Sequence, residues 1–283
     1  MRFALCNEVL QPLPFAQQCR LAAQLGYDGL EVAPFTVATD PMALSDADAA
    51  GLRRIAADHG LRITGLHWLL VAPAGLSIVA ADAGVRQSTV AVMKRLVELC
   101  ALMGGSYLVH GSPRQRSVPE GSTRAQALER ATECLAQAGA AAAAAGVTYC
   151  LEPLSPREND LFNTVAEAVQ LVREVNQPAL RTMVDTSAAG QAESEPVAAL
   201  LEHWLPQGVI GHVQVNDPNR RGPGQGDMDF GPILRVLQRM EQAGHFPGIV
   251  GVEPFDYVPD GPGCAAHSMG YLRGVLQGLR AHG

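Results

Sequence analysis

Short apolar runs rich in β-branched residues alternate along the chain with longer stretches whose apolar residues recur every three or four positions. The short runs predict eight strands, at 2–6, 29–32, 61–66, 106–109, 147–151, 180–184, 210–215 and 249–252. The longer pattern predicts helices between them, most clearly over 85–104 and 230–244, where one face carries the apolar residues. Gly26, Gly60, Gly104 and Gly146 each stand between a helical stretch and the next strand, where a helix C-cap feeds a short loop. The alanine run at 140–145 reads as a small-residue helix packed closely on the sheet. No linker rich in Pro, Gly or Ser divides the chain. Eight strand-then-helix units predict an α/β fold, one (β/α)8 TIM barrel occupying 1–283 as a single domain.

In such a barrel, chemistry gathers at the carboxyl ends of the strands. The residue that follows each apolar run is polar: Asn7 or Glu8, Glu31, His67, His110, Glu152, Asp185, Gln214 and Glu253. Any one of them has an ordinary explanation, Glu31 as the cap of a turn or His110 as a histidine with satisfied hydrogen bonds. Loop solvation does not explain eight strands that change character at the same end. Within 149–164 a strand delivers Glu152 and the following loop adds Arg157, Glu158 and Asn159. Within 211–230, strand alternation sets His212 and Gln214 on one face and Val213 and Val215 on the other, so the inward face is the polar one.

Composition narrows the chemistry. With 283 residues, 47% of them hydrophobic and 17% charged, the chain can bury a large core and is not disordered. Twenty-one basic against 28 acidic residues give a net charge of −7, which argues against nucleic acid as a partner but leaves room for a local basic pocket around one small anion. Lys94 is the only lysine; this excludes a Walker loop and argues against a Schiff-base enzyme, so carbonyl chemistry needs another electrophile. Gly222, Gly224 and Gly226 lack the spacing of a dinucleotide loop. Cys6, Cys19, Cys100, Cys134, Cys150 and Cys264 form no C-x-x-C pair and read as buried thiols of a cytoplasmic protein, none placed to serve a metal. No apolar run of about 18 residues and no signal-type start point to a membrane. Trp68 reads equally as a pocket wall or as core, and Arg114 and Arg116 as holders of an anionic group or as surface charge.

Converging carboxylates repel and raise one another's pKa unless a cation sits between them. Glu152, Asp185 and Glu253, with an amide or imidazole, form an oxygen-rich set suited to one divalent metal ion, Mn, Mg or Co. The other reading of the same pattern pairs these acids with arginines at the rim.

The motif E-P-L-x-x-x-E from Glu152 to Glu158, followed by Asn163 and Thr164, resembles the ketose 3-epimerase branch of the xylose-isomerase-like TIM-barrel superfamily. The motif H-x-Q-x-x-D followed by P-G-x-G, from His212 to Gly226, is similar to its hydroxypyruvate isomerase branch, and the likeness runs over essentially the whole chain. The resemblance implies that Glu152, Asp185, Gln214 and Glu253 bind one divalent metal and that the two glutamates also move protons. It implies a homodimer or homotetramer. Glu158, His67, His110, His212 and Arg220 are the expected contacts of a small sugar or sugar-acid substrate. Many members carry histidine where this chain has Gln214, and many have a substrate-contacting histidine where it has Ala188. The DNA-repair branch needs further histidine ligands; His67 and His110 suit it, whereas Gln214 and Ala188 do not.

These residues predict a metal-dependent sugar isomerase or epimerase working on small ketoses, aldoses or hydroxy-carbonyl acids through a cis-enediolate, with Glu152 and Glu253 on opposite faces of the substrate. Return of the proton to the other face of the same carbon epimerises; return to the adjacent carbon isomerises. Two other readings stay open: a barrel that binds a sugar or sugar acid without turning it over, and a metal-dependent dehydratase or lyase.

Overall fold

A computed structural model describes residues 1–281. Its eight parallel strands are β1 (Arg2–Cys6), β2 (Gly29–Val32), β3 (Arg62–Leu66), β4 (Tyr107–His110), β5 (Thr148–Leu151), β6 (Leu180–Asp185), β7 (Ile210–Val215) and β8 (Ile249–Val252). Each pairs with the next in sequence, and β8 returns to β1, closing the barrel. The helices on its outer side are α1 (Phe15–Leu25), α2 (Asp46–Asp58), α3 (Ala83–Met103), α4 (Arg124–Ala145), α5 (Val165–Val175), α6 (Thr186–Ala192), α7 (Val197–Trp204), α8 (Phe230–Gln242) and α9 (Gly261–Ala281). The (β/α)8 architecture is the one expected. Strand bounds differ from the expected ones by a residue at five ends in four strands, most usefully at β4 and β6, which extend to include His110 and Asp185.

Local chemistry explains the elements. Helix α8 buries Phe230, Ile233, Leu234, Leu237 and Met240, a stripe at helical spacing, and starts where the Asp229 carboxylate accepts from the Gly231 N–H. Helix α3 begins at Ala83 because Asp82 accepts from the N–H groups of Gly84 and Val85. The four glycines between helix and strand all adopt positive φ, which a side chain would resist. In the alanine run only Ala142 is fully buried; Ala140, Ala143 and Ala144 face out, so the run is one tightly packed edge of α4 and otherwise surface. All six cysteines are buried and free. No helix among the described residues is long and apolar enough to cross a membrane.

Strand alternation makes two cores. Outward residues such as Leu30, Leu66, Leu108, Tyr149, Leu151 and Val213 pack on the helices in the large hydrophobic cluster. Tyr107, Val109, Cys150 and Met183, with Ile249 against them, form a separate cluster inside the barrel. The strand pairing shifts by one residue at Leu30/Glu31 against β3 and at Thr182/Met183 against β7, which brings Asp185 level with Gln214.

Candidate active site at the carboxyl ends of the strands

Above the apolar filling the barrel interior becomes polar. Glu31 on β2 is fully buried, and its Oε2 accepts from the Tyr107 hydroxyl at 2.8 Å and meets His212 Nε2 at 3.0 Å. The His212 ring stacks on Tyr107 at 3.8 Å between centroids. The Gln214 amide donates to Glu31 Oε1 at 2.7 Å. Burial opposes ionisation of Glu31, but the neighbouring imidazoles and the Tyr107 hydroxyl together hold its carboxyl below the usual range. Glu31 is thus the anchor of a polar layer and not a turn cap. The same contact fixes Gln214, so that its Oε1 is the atom left without a partner among the described residues.

At the ends of their own strands, Glu152, Asp185 and Glu253 each bring a carboxylate oxygen within 4.8 Å of the other two. All three are buried. Asp185 caps α6, its Oδ1 accepting from the Ala188 N–H at 2.7 Å, while Oδ2 is unpartnered; Glu253 Oε2 is likewise unpartnered among the described residues. Burial and mutual repulsion push Glu152 and Glu253 well above the ordinary carboxylate range, and burial pushes Asp185 up to about 7. Three dry carboxylates and one orphaned amide oxygen, with no arginine ion-paired to any of them among the described residues, fit a hard divalent cation. The rim-arginine reading does not describe this geometry.

The remaining expected residues divide. His67 lies in the cluster, its Nε2 at 2.8 Å from Glu8 Oε2 and 3.8 Å from Glu253 Oε1. Burial disfavours its charge, yet Glu8 and Glu31 raise its pKa above the ordinary imidazole value. Glu158 lines the chamber beside Glu152 and pairs with Arg220 at 2.6 Å. The Arg220 guanidinium lies over the Phe255 ring at 4.6 Å. His212 sits a layer below, against Glu31. His110 faces the other way: Nδ1 meets the Tyr149 hydroxyl at 2.8 Å on the helix side of the sheet. Burial and then Arg116 push the His110 pKa down to about 3, so it is neutral. On β4 it is the next residue, Gly111, that lines the chamber. Ala188 serves through its backbone N–H alone.

Two readings of the sequence need correction. Cys6 does belong to the site: its Sγ groups with Glu8, His67 and Glu253 within 4.8 Å, because β1 alternation turns it inward. Arg116 is not surface charge but fully buried; its Nη1 donates to the Glu152 backbone carbonyl at 2.6 Å and, at 3.5 Å, to that of His110. Sequence reasoning also passed over Phe255 and Leu154, which wall the chamber with Trp68. Trp68 carries φ 52°, a left-handed conformation unusual for a bulky residue, so it is a strained pocket wall.

Comparison with known proteins places this chain among relatives. A family model described as a xylose isomerase-like TIM barrel matches residues 19–275. The chain is 28% identical over 249 residues to a D-psicose 3-epimerase of Agrobacterium fabrum, covering 85% of this chain and 79% of the relative. It is 30% identical over 197 residues to an L-ribulose 3-epimerase of Mesorhizobium japonicum, covering 68% and 63%. Among solved structures, an L-ribulose 3-epimerase superposes with a TM-score of 0.82 at 20% identity, covering 99% of this chain and 96% of that one. An Escherichia coli 3-keto-D-glucoside 4-epimerase gives 0.80 at 20% identity over 96% and 99%. At these identities the structural likeness speaks to fold.

Proposed function

The chain belongs to the xylose isomerase-like TIM-barrel family, its curated relatives are epimerases of the isomerase class, and on that premise we propose that it is a divalent-metal-dependent epimerase of keto sugars. The observation that carries this reading is the convergence of Glu152, Asp185 and Glu253, buried and ion-paired to no arginine among the described residues, with the unpartnered Oε1 of Gln214 on the strand beside Asp185.

Glu152, Asp185, Gln214 and Glu253 would hold one cation, of which Mn, Mg or Co suits the oxygen donors. When bound, that ion supplies the positive charge that offsets oxyanion development on a carbonyl substrate, the part a lysine plays elsewhere. The chain's own residues supply the rest. Glu152 and Glu253 come from β5 and β8, with β6 and β7 between them, so they flank a ligand lying at the mouth. One carboxylate removes the proton from the carbon beside the carbonyl, leaving the electron pair in the enediolate of the substrate. The other, as a carboxylic acid, returns a proton to the opposite face of the same carbon, and the configuration there inverts. Glu158 and Arg220 close one side as an ion pair and hold substrate hydroxyls. Trp68, Leu154 and Phe255 keep water from the reacting face.

Solvent-deuterium exchange into a panel of ketoses with Mn²⁺ tests the proposal. Glu152→Gln and Glu253→Gln are each expected to reduce exchange by at least a thousandfold while far-UV circular dichroism is unchanged. Full exchange in both variants contradicts it.

A further inference from the structure

The chamber against Glu152 and Glu253 is small, about 30 Å³, room for roughly two or three water-sized groups. Its neighbour is not. A second hollow of about 440 Å³ opens beyond it, and Trp68 and Phe255 belong to the walls of both. These two rings meet edge to face at 6.2 Å and form the sill between the chambers. Phe35, Val71 and Tyr257 add apolar wall to the outer hollow alone, and Val71 is one of the few large apolar residues left exposed.

Polar groups in the same hollow ask for a ligand with hydroxyls. Glu8 lines it, is nine-tenths buried, and has its Oε1 unpartnered among the described residues while Oε2 is held by His67. A buried carboxylate oxygen with no donor is unfavourable until one arrives. Gln11 and Arg220 reach the same space, one as a neutral amide and the other as a cation. Aromatic side chains lining the same hollow as a carboxylate acceptor and an amide suit a pyranose ring, which is apolar on its C–H faces and hydrogen-bonding around its edge. A purely apolar group would leave Glu8 unsatisfied; a phosphate would meet a carboxylate.

We propose that the outer hollow is a second sugar subsite, and that the substrate is a glycoside whose keto-bearing ring lies at the sill with only its carbonyl edge in the inner chamber, while its second ring occupies the outer hollow against Tyr257 and Phe35. This deepens the epimerase reading and rests on it for the reaction, but the subsite can be tested by binding alone. Non-reacting glucose and cellobiose are titrated calorimetrically into the metal-loaded protein. Their 3-keto derivatives are then compared by deuterium exchange.

Cellobiose is expected to bind at least tenfold more tightly than glucose, and the keto-disaccharide to exchange with a kcat/KM at least tenfold above that of the keto-monosaccharide. In Tyr257→Ala and Phe35→Ala, which leave Glu152 and Glu253 untouched, both ratios should fall toward one. Equal or weaker binding of cellobiose, with exchange intact in the monosaccharide, overturns the subsite and leaves the epimerase reading standing. A cellobiose preference lost in both variants, with no exchange in any keto sugar, upholds the subsite and removes the reaction. Ratios unchanged in both variants also overturn it.

Discussion

A methyl group at residue 111 would overlap the Glu152 carboxylate, so the absence of a side chain there is what lets Glu152 lean inward. Gly111→Ala is expected to weaken Mn²⁺ binding at least tenfold by calorimetry while lowering the melting temperature by only a few degrees; unchanged affinity would show that Glu152 is placed by other means. Behind Glu152 stands Arg116. Its guanidinium is dry, and burial pushes its pKa down to about 10 even though Glu152 and Glu158 favour its charge. Arg116→Met would leave the Glu152 carbonyl without its donor at about 1–3 kcal/mol, while the His110 carbonyl keeps the Glu152 N–H. Denaturant unfolding should show a loss of that order, and a variant as stable as the parent removes Arg116 from the role of clamp. Neither residue was legible. Gly111 follows a histidine that drew attention for its chemistry, and a two-arginine loop segment looks the same in sequence whether it is solvated or folded under.

The elements were legible because period-2 and period-3.6 patterns do not mimic each other over eight repeats. The acids at the ends of β5, β6 and β8 were legible for the same reason: an apolar run must stop being apolar where it leaves the core. Which side of the sheet a terminal residue faces was less so. Parity places Gln214 and Glu253 inward, but His110 is one step out of phase with Val109 and turns to Tyr149. The slips of pairing beside Glu31 and Met183 carry no sequence mark, and they set the level at which Asp185 meets Gln214. Asp185 also serves its helix, since it ends β6 and caps α6 with one oxygen. Asp185→Asn keeps a capping acceptor and removes the charge. Helix content should be unchanged by circular dichroism and Mn²⁺ affinity should drop at least tenfold; a melted α6 with affinity retained would invert this division of labour.

Across the molecule, the clustered acids tie stability to pH with a sign opposite to that of ordinary paired carboxylates. Asp185 is raised from 3.8 to about 7, and Glu152 and Glu253 stand well above 4.5. Between the ordinary carboxylate value and these raised values the folded, cation-free protein holds more protons than the unfolded chain, so its stability falls as pH rises through that window. Melting temperatures in chelator should therefore decline from about pH 5 toward pH 7. A saturating divalent cation, which requires the same acids ionised, should abolish the decline and release protons on binding. A chelated protein that gains stability over this range would show the three acids to be ionised already. The most direct measurement is anomalous diffraction from crystals grown in excess Mn²⁺. The account predicts one peak, shared by Glu152, Asp185 and Glu253 and reached by Gln214 Oε1. Crystals with these four side chains gathered but no anomalous density between them, or with the ion bound elsewhere, would contradict it.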